Sequence, residues 1–125
     1  GVELKPAKLW DIQADYVSRP PIHNNNICAH PGVWGLPTGR PTGFTFTRSC
    51  GCGIISVSRN LLVFRSGTIR CIDLQESNKT RNYGGAHAGA PINALPAGEL
   101  ALIPNGWSLC KCSYLIRADL ALQNQ

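Results

Sequence analysis

No stretch of this chain carries helical periodicity far enough to form a long amphipathic helix. Glycine and proline, 13 and 9 of 125 residues, fall between short apolar runs, where both interrupt regular structure. The best helical candidate is LWDIQADYV (9–17). Leu9, Ile12 and Tyr16 follow helical spacing, and SRPP at 18–21 would stop the helix. The same segment also reads as extended. The remaining patterned segments are strand-like. GFTFTR (43–48) alternates apolar and polar residues, the period of a half-buried strand. NLLVF (60–64) and TIRCIDL (68–74) are rich in branched side chains, and RSG between them suits a hairpin loop. GELALI (98–103), then PNG, then WSLCKCSYLIRA (107–118) predicts an antiparallel hairpin, and LAL (120–122) follows. Residues 19–43 and 82–98 read as long irregular loops, rich in Gly with Pro, Asn or Ala. Together these features predict one all-β domain over residues 1–125, a disulfide-stapled sandwich or barrel with long loops and at most one short helix.

The cysteines come in an even number, six, and four of them form a doubled Cys-x-Cys: Cys50 with Cys52, and Cys110 with Cys112. On a strand, residues two apart point to one face, so each pair presents two sulfurs side by side to neighbouring segments. Bridging within a pair is awkward, because disulfide geometry is narrow. The expectation is therefore bridges linking these pairs to other segments, with Cys28 and Cys71 taking part and the connectivity open. A zinc ion held by the four paired thiolates is the alternative. Its usual knuckles separate their cysteines by two to four residues, so this spacing does not suit it. No metal or other cofactor is expected. The chain starts at Gly1 and contains no methionine, which reads as a removed secretion signal. Asn78 opens a formal glycosylation triplet, NKT. These features predict a secreted, extracellular protein, and no apolar run is long enough to span a bilayer.

The net charge of +5 is concentrated in the middle of the chain. From Arg40 to Ile72 there are five arginines and no acidic residue. If Arg48, Arg59, Arg65 and Arg70 shared a face, they would attract an acidic protein, an anionic glycan or a phosphate-bearing ligand. Nucleic acid is less favoured, since no RNA-binding motif with interleaved aromatics is present. Trp34, in HPGVWGLP, reads as a loop residue, either an exposed contact anchor or a side chain that a folded-back loop packs into the core. HNNNICAH places His23 and His30 around Cys28, a spacing that matches no metal-ligand motif. His87 lies among small residues in GGAHAGA and would be accessible.

In composition the chain resembles small, secreted, cysteine-stapled β-proteins, a category that includes toxins and the effectors of plant-pathogenic fungi. The resemblance implies no particular site residue. Two functions follow as expectations. The first is a secreted interaction protein, of the virulence-effector or toxin kind, that binds a partner through loop surface and does no chemistry. Trp34, the four arginines and His87 would contribute to that surface. The second is a small nuclease-like hydrolase using His87 with Glu76 or Glu99 and arginines.

Overall fold

The computed structural model describes residues 5–14, 19–48, 53–75, 80–83, 88–89, 94–97, 100–104 and 119–123. Among these the chain is all-β, with three antiparallel sheets and no helix. The first sheet is a meander of β1 (Ile22–His23), β2 (Asn26–Ala29), β3 (Gly32–Gly35) and β4 (Pro41–Thr45). The second is another meander: β5 (Ser56–Val57), β6 (Leu61–Ser66), β7 (Thr68–Asp73) and β8 (Thr80–Tyr83). The third consists of β9 (Leu95–Ala97), β10 (Leu100–Ile103) and β11 (Leu120–Gln123), with β10 in the middle.

The unbroken apolar run at Leu61–Phe64 lacks the alternation of a strand with one wet face. The pairing explains it. Leu62 stands opposite Ile72 and Val63 opposite Cys71, and directly opposed residues share a face. Leu62, Phe64 and Ile72 pack on one side with Cys28, Val33, Phe46 and Ile55. Val63, Ile69 and Cys71 pack on the other with Ala88, Ala94 and Ile103, against Leu120 and Leu122. The second sheet is thus the middle layer of a sandwich-like stack. Leu62, Phe64 and Ile69 are wholly buried in it, each contributing roughly 1.5–3 kcal/mol of burial.

The region 19–43, read from sequence as irregular, is instead the four-stranded first sheet. Its strands are short, and Gly and Pro sit within them: Gly32 and Gly35 in β3, and Pro41 at the first position of edge strand β4, where a missing N–H is tolerated. Asn24 and Asn25 have φ of 46° and 61°, the left-handed pair of a type I′ turn joining β1 to β2. His30–Pro31 is a cis peptide in the next turn.

Residues 9–14 form no helix. Leu9, on the expected apolar stripe, is exposed, and Trp10 is drawn onto the β3–β4 connection, where its indole N–H donates to Leu36 O at 2.8 Å. Gly39 lies beneath that ring with φ of 67°, and a Cβ there would come within 2.7 Å of the indole. Gly39→Ala therefore combines left-handed strain with a clash, and should lower stability by about 1–2 kcal/mol in urea denaturation. Unchanged stability would mean that Trp10 is not seated on Gly39.

The second strand of the hairpin expected about PNG, 107–118, lies outside the described residues. β10 pairs with β9 on one edge and β11 on the other. Of the stretch 82–98, read as loop, Asn82 and Tyr83 are the end of β8 and Leu95–Ala97 is β9. The stapling expectation is corrected at Cys28 and Cys71. Both are free thiols, buried in separate cores on opposite faces of the middle sheet, so they cannot bridge to each other. Cys50, Cys52, Cys110 and Cys112 lie outside the described residues, as do Asn78, Glu76, Glu99 and His87.

Candidate functional site

An open cleft of about 520 Å³ lies where the first sheet meets one end of the middle sheet, within the usual size range of small-molecule sites. Two tight turns build its opposing walls. The type I′ turn brings His23, Asn24 and Asn26 to one side, and Asn tolerates the left-handed conformation this requires. Across from it, the β5–β6 turn is closed by Ser58 N–H donating to Leu61 O at 2.8 Å and carries Arg59 at its tip. Gln75 N–H donates to Asp73 Oδ1 at 2.8 Å, an Asx turn that ends β7 and sets Leu74 and Gln75 along the same wall.

The inner face of the first sheet completes the cleft with Cys28, Val33, Thr42 and Phe44. The Thr42 hydroxyl donates to Val33 O at 3.0 Å and accepts from Phe44 N–H, which holds β4 against β3. The lining thus combines three primary amides, a hydroxyl, an imidazole and a guanidinium above an apolar floor. Among the described residues no carboxylate side chain lines it. That combination can form several neutral hydrogen bonds and one charge-assisted pair.

The two described thiols are poorly suited to chemistry. Burial raises the Cys28 thiol above its ordinary value. It raises Cys71 to about 11, with Arg81 pulling it partway back. Both are therefore protonated near neutral pH and poor nucleophiles. Alkylation in denaturant without reductant should modify Cys28 and Cys71, and alkylation of the native protein should spare them. Peptide mapping that found either one in a disulfide would contradict this placement.

The structure does not gather the arginines on one face. Arg48 is a brace: Nε donates to Arg65 O at 2.9 Å and an Nη to Gly53 O at 2.8 Å. Arg65 is 3 % exposed and reaches toward Ala88 O on the side of the third sheet. Arg70 stands opposite Phe64, so it projects from the other face of the middle sheet. Only Arg59 of the four lines the cleft. Trp34 lies in β3, half-buried, opposite Ile27 and Pro41. That places it on the outer face of the first sheet, away from the cleft. His30 packs edge-on against Phe46, with centroids 5.7 Å apart, whereas His23 and Cys28 both line the cleft.

Asn24, Asn26, Thr42, Phe44 and Gln75 were missed from sequence. The NNN run was a usable turn signal, but the convergence of four separate segments was not. A second cavity, of about 40 Å³ between Leu61, Cys71, Ala101 and Leu122, has room for about one water. Among the described residues no three His, Cys, Asp or Glu side chains converge to hold a metal, and no helix is long and apolar enough to cross a membrane. Comparison with family models, curated proteins and solved structures finds no match.

Proposed function

We propose that this protein is a secreted interaction protein that works by binding, of the virulence-effector or toxin kind, and that the cleft between the first and middle sheets is its contact site. The observation that carries this reading is the lining: neutral hydrogen-bonding groups and one guanidinium, Arg59, with no acidic side chain among the described residues. Such a site favours a polar, anionic partner group. Rigidity comes from the two cores flanking the middle sheet, so the scaffold needs no bridge through Cys28 or Cys71.

The test compares Arg59→Gln with Arg19→Gln, an exposed arginine outside the cleft. Both changes remove one charge. In titrations with small carboxylates and phosphate esters, only Arg59→Gln should weaken binding. Equal weakening by both variants would mean that anions respond to overall charge and that the cleft is not the site.

A further inference from the structure

We infer that the cleft takes an anionic sugar, a uronate-type residue carrying one carboxylate beside neighbouring hydroxyls. This rests on the cleft being the contact site. A sugar hydroxyl both donates and accepts, and so does a primary amide, through its NH₂ and its carbonyl oxygen. Three such amides, Asn24, Asn26 and Gln75, stand around the cleft with the His23 ring. Thr42 adds little, because its hydroxyl is already engaged by Val33 O and Phe44 N–H. Phe44, Val33 and Leu74 offer an apolar patch for the C–H face of a sugar ring. Arg59, exposed at a turn tip, presents a planar fork that pairs with a carboxylate through two hydrogen bonds.

Other ligand classes fit less well. A cation would find no carboxylate among the described lining residues. A phosphate dianion would meet a single guanidinium and no helix N-terminus among the described residues. An acidic peptide would be expected to pair its main chain with a sheet edge, whereas this cleft offers side-chain amides.

The experiment is calorimetric titration with trisaccharides of galacturonate and of glucuronate, their neutral counterparts, inorganic phosphate and a glutamate-rich peptide. Backbone-amide NMR shifts on the same samples locate each contact. The acidic trisaccharides should move the amides of residues 23–28, 42–44, 59–60 and 74–75, and bind at least about tenfold more tightly than the neutral ones. Arg59→Gln should weaken the acidic sugar roughly ten- to a hundredfold, to the level of the neutral one. Arg59→Lys should restore only part, since an ammonium lacks the fork. Asn26→Ala should weaken acidic and neutral sugars alike. Unchanged thermal unfolding of the Arg59 variants would confirm that they remain folded.

Equal binding of acidic and neutral sugars, or phosphate or peptide binding as tightly as the uronates, would overturn the assignment. If other compounds move the cleft amides and the uronates do not, the sugar assignment fails and the cleft reading stands. If none of these compounds moves them, both fail.

Discussion

Replacing Phe64 with alanine lowers the free energy of unfolding by about 3–5 kcal/mol, the usual cost of removing a buried aromatic ring. Phe64 is wholly buried in the middle sheet and faces the first sheet. Its ring centroid is 5.1 Å from that of Phe46, which lies 6.3 Å from that of Phe44 in the cleft lining. The three rings tie the middle sheet to the cleft, so the substitution should also loosen the cleft. Urea denaturation measures the stability change, and amide exchange at 42–46 reports the loosening. A loss under about 1 kcal/mol would mean that the first sheet does not pack on the middle sheet as described.

The second large effect is alkaline. The Cys71 thiol is raised from 9.0 to about 11 in the folded protein, with burial the main cause. Between those values the unfolded chain has lost the thiol proton while the folded chain keeps it. Stability from this group is therefore complete below about pH 9 and is lost as pH rises through about 11. At full loss it amounts to about 2–3 kcal/mol. Cys71→Val removes the titration and keeps an apolar side chain. Over this pH interval the variant should lose correspondingly less stability than the parent, as measured by denaturation at a series of pH values. Parallel pH curves would place Cys71 in contact with solvent.

Local pairing was largely legible in the sequence. The branched runs around RSG form the β6–β7 hairpin, turning at Gly67 with φ of 73°. GELALI contains β10 and LAL lies within β11. Of the first sheet only β4 was legible, where residues 43–45 fall in the strand expected over 43–48; the rest was not, because strands of two to four residues with internal Gly resemble loop composition. The signal for it lay in turn chemistry: adjacent asparagines can adopt the paired left-handed conformation that closes β1 onto β2.

The arginine face failed for a related reason. Charge counted along the chain ignores strand alternation. Arg65 stands opposite Ile69 and Arg70 opposite Phe64, positions on opposite faces of one hairpin. The cleft is non-local. His23 in β1, Thr42 in β4, Arg59 in the β5–β6 turn and Gln75 after β7 come from four separate segments of two sheets, and no spacing along the chain brings them together.

The most direct test of the account is a screen of small polar fragments against ¹⁵N-labelled protein, read by backbone-amide shifts. The account predicts that hits, acids above all, cluster on residues 23–28, 42–44, 59–60 and 74–75. Hits that bypassed these residues and gathered on the outer face of the first sheet, around Trp34, would contradict it.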